Sequence, residues 1–146
     1  MKVCGVELKS NEAVVTLLSF SGGLFDLPPF RVRRITLLNS EDGESLRKFQ
    51  FDFNKLMSDY QVDKVVIRQR PTKGRFAGSA VGFKMEAAIQ LIDGLDVELI
   101  SSNAVKTSLS HTPLPIDFRE TGLKAFQEAA FTTAFAYCNL PDINAD

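Results

Sequence analysis

The hydrophobic pattern of residues 2–20 predicts a strand, a tight turn and an antiparallel return strand. Apolar side chains occupy every second position from Cys4 to Leu8, which is the period of a strand. Residues 13–20 are almost continuously apolar, as expected in the middle of a sheet. Glu7 is an acid near the end of the first strand, and burial of an unpaired carboxylate is costly. Glu7 is therefore expected to cap the turn, to pair with a cation or to belong to a functional site.

The pattern further along the chain alternates between strands and helices. Gly and Pro make residues 21–30 an irregular connection. Ser40 is the predicted N-cap of the first helix, and Ser102 or Asn103 caps a later one. The predicted elements are a third strand over residues 31–38, a helix over 41–60, a strand over 62–69, a helix over 83–93, a strand over 95–101, a short helix to about 109 and a last helix over 121–138.

This order of elements predicts one α/β domain over residues 1–146. The first three strands form an antiparallel meander, and each later strand is reached through a helix, which is typical of parallel pairing. The predicted fold is a mixed five-stranded sheet with helices on both faces.

Composition restricts the partners of the chain. A formal net charge of -1 gives no overall attraction to nucleic acid or to a membrane, so any such binding depends on local patches. No apolar run approaches the length of about 20 residues that spans a bilayer, and the N-terminus lacks a signal-peptide pattern. We expect a cytoplasmic protein without a membrane partner. Cys4 and Cys138 are expected to be reduced, buried thiols, because neither has metal-ligand spacing.

Four short segments carry a resemblance to a known superfamily. They are VCGVE ending at Glu7, VVIRQ with Arg68 before the glutamine, the pair Val105 and Lys106, and EAAF running from Glu128 to Phe131. In their order and spacing they resemble the ribonuclease H-like superfamily and, within it, the RuvC-type Holliday junction resolvases. The resemblance covers residues 2–138 and points to an uncharacterised bacterial family of that superfamily rather than to a resolvase proper.

The resemblance implies phosphodiester hydrolysis by two magnesium ions held among about four carboxylates. Of those positions the chain keeps Glu7 and Glu128, and it has Arg68 and Phe131 at the other two. A guanidinium about 4 Å from a divalent cation is repelled by several kcal/mol even at an effective dielectric near 20. We therefore expect no bound metal and a catalytically degenerate protein. Magnesium is expected only if the chain is a nuclease after all.

Three interpretations of Arg68 remain open. It belongs to a partly buried ion pair with Glu7 and Glu128, or it binds a phosphate or carboxylate ligand with its planar fork. In the third, catalysis persists with an acid from elsewhere, such as Glu86 or Asp117.

The segment around residues 68–84 is rich in cations and glycine. Its cations are Arg68, Arg70, Lys73, Arg75 and Lys84. Such a loop suits contacts to a nucleic-acid backbone, and Phe76 suits stacking on an unpaired base. The opposing interpretation is that these charges are only solvated. The expected ligand contacts are Arg68, Arg70, Lys73 and Arg75, together with Lys106 of the matched Val-Lys pair.

The sequence thus leaves three functions in order of preference. The first is binding of nucleic acid or a phosphate-bearing ligand through the basic loop, without catalysis. The second is a divalent-metal-dependent nuclease that uses Glu7 and Glu128. The third is a non-catalytic homodimeric interaction protein. Phe131 and Phe135 lie off the predicted inner stripe of the last helix, which suits either burial in the core or a dimer contact.

Overall fold

A long antiparallel hairpin forms the centre of the sheet. In the computed structural model, which describes residues 1–140, β1 (Lys2–Lys9) pairs along its whole length with β2 (Glu12–Ser21). Ser10 turns the chain with a positive φ of 53°. Both strands are almost entirely buried, as their apolar patterns predict.

Two short strands share the outer side of β2. β3 (Leu24–Asp26) pairs with one end of it and β4 (Arg34–Thr36) with the other. The strand predicted over residues 31–38 is present but is limited to Arg34–Thr36, and β3 falls where only an irregular connection was expected. Pro28 and Pro29 lie between the two strands and have no N–H to donate to a ladder, so the chain leaves the sheet there.

Two parallel strands complete the other side of the sheet. The chain passes through α1 (Gly43–Asp59) to β5 (Lys64–Arg68), which lies parallel to β1, and through α2 (Ala80–Gln90) to β6 (Val97–Ile100), which lies parallel to β5. The strand order is β3-β2-β1-β5-β6, with β4 beside β2. The mixed α/β fold class is confirmed, although the described chain has six strands instead of five.

Helix starts differ from the predictions because other side chains supply the caps. Asp42, not Ser40, caps α1, since its carboxylate accepts hydrogen bonds from the amides of Glu44 and Ser45. Ser79 caps α2, which begins at Ala80, three residues before the predicted start at residue 83. Ser101 caps α3 (Ser102–His111), in place of the predicted Ser102 or Asn103.

The last helix, α4 (Glu128–Cys138), begins seven residues later than the predicted start at residue 121. Gly122 has a φ of 80°, which ends a preceding 3₁₀ turn and separates it from the helix. Helix α4 lies very close to β1, because a Cβ built on Gly5 would meet the carbonyl oxygen of Ala130 and lie 2.9 Å from the Cβ of Ala134.

The sheet separates two cores, one under α1 and α2 and one under α3 and α4. Phe131 and Phe135 are buried in the second core, 0% and 3% exposed, where both rings contact Phe25. Of the two interpretations open from the sequence, burial in the core and a dimer contact, the structure has burial, with the Phe25 ring of β3 against both rings. These two rings therefore give no reason to expect a homodimer, which stays a prediction.

Cys4 and Cys138 are buried free thiols, as predicted. Burial raises the pKa of each to about 12. No helix within residues 1–140 has the length and apolar character needed to cross a membrane.

Candidate nucleic-acid interface

Glu7 and Arg68 lie side by side where β1 and β5 end. Val6 pairs with Ile67 in the parallel register, and each of the two charged residues comes next on its strand. Side chains alternate across a sheet, so both project to the face that α4 covers, opposite to Val6 and Ile67. Ligands of open α/β sheets bind outside the carboxyl ends of such strands.

Helix α4 fixes the guanidinium of Arg68. Its Nε donates to Oγ1 of Thr133 at 2.9 Å, and one terminal nitrogen donates to Oγ1 of Thr132 at 3.0 Å and to the carbonyl of Ala129 at 3.3 Å. Burial lowers the pKa of Arg68, Glu7 raises it and Arg70 lowers it further. A guanidinium starts from so high a pKa that Arg68 stays a cation at neutral pH.

The predicted ion pair among Glu7, Arg68 and Glu128 is not formed. Within the described chain, the contacts of Arg68 are the threonine hydroxyls and the Ala129 carbonyl, while Glu7 acts on it only through its longer-range field. Glu128 is exposed at the first position of α4. The threonines take the guanidinium donors that the two carboxylates were expected to take.

A cleft of about 350 Å³ opens beside the end of β1. Glu7, Arg70 and Glu86 line it together with the glycines at positions 78 and 82. Glu86 is half-buried on α2, and burial raises the pKa of its carboxyl group. Asp117, the other acid considered from the sequence, is bound to Arg119 at 3.0 Å and is not among the residues that line this cleft.

The acids of residues 1–140 do not fit a pair of magnesium ions. They contain no group of three or more Asp, Glu, His or Cys side chains placed to hold a metal. Arg68 occupies one position of the expected carboxylate set, and the ring of Phe131 lies in the core between Phe25 and Phe118, at centroid distances of 5.7 and 5.8 Å. Neither side chain is a ligand for a hard cation.

The basic loop, residues 69–79, follows β5 and borders a second groove of about 520 Å³. Arg70 and Lys73 line this groove opposite Ser102 and Asn103 at the start of α3. Lys73 and Arg75 are exposed and have no ion-pair partner in the part of the chain that the structure describes.

Phe76 is the aromatic side chain of the basic loop, and it is 73% exposed. The guanidinium of Arg75 lies 5.7 Å from the centre of its ring. An exposed ring next to free cations is the arrangement that stacks on unpaired bases while the cations contact phosphates.

Lys84, a cation of the basic segment, and Lys106, an expected ligand contact, lie in different surroundings. Lys84 donates to the carbonyl of Ser40 at 2.8 Å and lies 3.9 Å from Glu41, so it is engaged within the fold. Lys106 is exposed on α3, beyond the residues that line either groove.

Sequence reasoning missed Thr132 and Thr133, which hold Arg68. The available signal was two adjacent hydroxyl side chains within an otherwise apolar helix, since such groups need hydrogen-bond partners when buried. Nothing in the sequence indicated that their partner would be 64 or 65 residues away.

Comparison with known proteins agrees with the fold and adds a family. The profile of a family described as "Protein of unknown function (DUF3010)" matches residues 1–137. No curated protein matches the chain. The chain is similar to the Thermus thermophilus RuvC structure, with a TM-score of 0.73 and 12% identity over 99% of this chain and 97% of that one.

A second similar structure is T. thermophilus RuvC in complex with a Holliday junction substrate. Its TM-score is 0.68 at 14% identity, over 94% of this chain and 93% of that one. At these identities the likeness is one of fold. The expected resemblance to the ribonuclease H-like superfamily and its RuvC branch is confirmed at that level.

Proposed function

We propose that this chain, which belongs to the family described as "Protein of unknown function (DUF3010)", binds nucleic acid through its basic loop and does not cleave it. The observation that carries the proposal is Arg68, a guanidinium fixed on α4 beside Glu7 at the end of β5. The positive field of a fixed cation there favours an anionic ligand bound nearby and disfavours two divalent ions.

The side chain of Arg68 is held by hydrogen bonds and does not move aside easily. Three hydrogen bonds to α4 hold its side chain, and bonds from a charged donor are stronger than those between neutral groups. Moving the guanidinium aside for a metal ion would break these bonds. The guanidinium therefore stays near Glu7 as long as the protein is folded.

The free cations of the basic loop supply the binding. Lys73 and Arg75 have no acidic partner among the described residues, and Arg70 lines both grooves. The net charge of the whole chain is only -1, so these side chains form a local positive region on a protein without a net positive charge. Binding through them depends on phosphates and not on base sequence.

Two further features agree with a nucleic-acid ligand. Exposed Phe76 offers a stacking surface for an unpaired base, and Lys106 offers an additional cation on α3. One structural relative was solved with a Holliday junction substrate, so the scaffold accommodates branched DNA in that protein.

The salt dependence of binding to a labelled single-stranded oligonucleotide tests the proposal. The triple variant Arg70→Ser, Lys73→Ser, Arg75→Ser removes three phosphate contacts. The slope of log K against log salt should fall in magnitude by about 2, at roughly 0.7 per contact. The control changes Arg47, Lys48 and Lys55 of α1 to Ser, with the same loss of charge, and should keep the wild-type slope.

Two outcomes overturn the proposal. One is wild-type protein that binds no nucleic acid even at low salt. The other is an equal reduction in slope for the loop and control variants, since that would mean that only overall charge matters.

A divalent-metal nuclease remains the second candidate, because half-buried Glu86 shares a cleft with Glu7. It predicts cleavage with magnesium or manganese that is lost in Glu7→Gln and Glu86→Gln.

A homodimeric interaction protein is the third candidate. It predicts a dimer in sedimentation without binding or cleavage of nucleic acid.

A further inference from the structure

A second group of cations surrounds a groove of about 400 Å³ next to β4. We call it the β4 patch, and the residues that line it are Arg31, Val32, Arg33, Arg34, Lys124 and Phe126. Four of these six residues are cations and none is an acid. On a chain with a net charge of -1, such segregation produces a local positive potential.

Two of the four cations are neutralised by neighbours. Arg31 is bound to Asp59 at 2.8 Å and Arg34 to Glu12 at 3.2 Å. Within residues 1–140, the side chains of Arg33 and Lys124 have no ion-pair or hydrogen-bond partner, and both residues are exposed. The patch therefore keeps two unpaired positive charges.

The paired guanidinium of Arg34 is held in a defined position. It lies 4.2 Å from the centre of the Phe126 ring and donates a hydrogen bond to Glu12. An arginine that lies on an aromatic ring retains free N–H groups at its edge and loses little side-chain freedom when it binds a ligand.

The strand register locates the β4 patch relative to Glu7. Val14 of β2 pairs with Glu7 on one side and with Arg34 on the other, so the three side chains lie in one row on the α4 face. The strands run in the order β4, β2, β1, β5, and adjacent strands lie about 4.8 Å apart. The row therefore spans about 14 Å from Arg34 to Arg68, and the basic loop continues beyond β5.

We infer that the β4 patch is a second phosphate-contacting surface, and that one nucleic-acid chain passes from it across the end of β1 to the basic loop. This inference rests on the proposed function. A polymer is the ligand that fits, because two groups of unpaired cations lie on opposite sides of Glu7. The acid between them repels a phosphate, so the contacts lie on either side of Glu7.

The test compares single strands of about 4 and about 16 nucleotides, which are the limits of typical single-strand sites. The double variant Arg33→Ser, Lys124→Ser removes the two unpaired cations and no hydrogen bond or ion pair, so it should fold normally. On the long strand its salt slope should fall by about 1.4. The advantage of the long over the short strand should shrink. The control is Arg47→Ser, Lys48→Ser on α1, which removes the same charge away from the β4 patch and its ion pairs and should bind as the wild type does.

Three outcomes overturn the inference, and they are distinguishable from one another. If the double variant keeps the wild-type salt slope and the loop variant is still impaired, the β4 patch does not contact the ligand. The proposed function then stands. Loss of binding in the double variant with normal binding in the loop variant makes the patch the sole site and removes the shared path. Wild-type protein that binds neither strand removes the proposed function and this inference together.

Discussion

Arg68 and the cations of the basic loop are close in sequence but differ in whether they are available to contact a ligand. Arg68 is half-buried, with hydrogen bonds to two threonine hydroxyls and one carbonyl of α4. Lys73 and Arg75 are exposed, and no described acid pairs with them. The first is a structural component of the contact between sheet and helix, and the others are available to a ligand.

This difference shows that charge alone does not identify a binding residue. A guanidinium whose donors are already used within the fold has little left to offer a phosphate, although its field still acts nearby. In the proposed function, the same cation disfavours a divalent ion at the end of β5 and favours an anion near it. The variants that follow change one region at a time, in order of decreasing expected effect.

Gly5→Ala should have the largest effect, because it removes the close approach of α4 to β1 that holds the partners of Arg68. The added methyl group would meet the Ala130 carbonyl and lie 2.9 Å from the Cβ of Ala134. The free energy of unfolding should fall by about 3 kcal/mol or more in urea denaturation. Gly43→Ala, at the first turn of α1, is the control and should be near neutral, since its nearest neighbour is the flexible end of Arg47 at 3.4 Å.

Arg68→Met should lower the free energy of unfolding by about 2 kcal/mol, because hydrogen bonds from a charged donor to α4 are lost. Lys73→Met should change it by less than about 0.5 kcal/mol, because nothing in the described chain holds that side chain. Urea denaturation of both variants measures the contrast directly. Equal losses would mean that the distinction between a fixed and a free cation does not exist.

Phe76→Ala should weaken single-strand binding by roughly tenfold, about 1.4 kcal/mol, because a stacking surface is lost. Phe51→Ala on α1 provides a matched control, since the two rings are 73% and 66% exposed. Fluorescence anisotropy with a labelled oligonucleotide measures both. Similar affinities for the two variants would argue that the basic loop contacts phosphates only.

Glu86→Gln should produce the smallest effect, a stabilisation of about 0.5 kcal/mol or less at pH 7. Burial raises the pKa of this carboxyl group, so its ionisation disfavours the folded state as the pH rises above the unfolded pKa of about 4.3. The advantage of the variant should disappear below that pH. Thermal melting at pH 7 and at pH 3.5 compares the two conditions, and a stabilisation that is independent of pH would exclude this cause.

The sequence was sufficient for the fold because its strongest patterns are local. The apolar runs of β1, β2 and β5 and the amphipathic stripe of α1 have clear periods, and the helical crossovers imply the parallel pairing. β3 was missed and the length of β4 was overestimated, because three residues are too few to show a period and the pairing of both strands depends on β2.

The site was only partly predictable, for a different physical reason. Glu7 and Arg68 are adjacent as expected, because both follow from the ends of recognisable strands. The partners of Arg68 were predicted incorrectly. Glu128 and Thr132 are one turn apart on the same face of α4, so the position of the helix along its axis decides which of them reaches the guanidinium, and sequence spacing does not fix that position. The unpaired state of Arg33 and Lys124 likewise depends on contacts between distant segments.

The most direct test follows binding and cleavage of one labelled oligonucleotide in the same low-salt reaction with magnesium, and again with manganese. The account predicts a complex that dissociates as salt is added and a strand that remains at full length. Cleavage that depends on the metal and is lost in Glu7→Gln would contradict the central claim, because the site beside Arg68 would then be a working hydrolase.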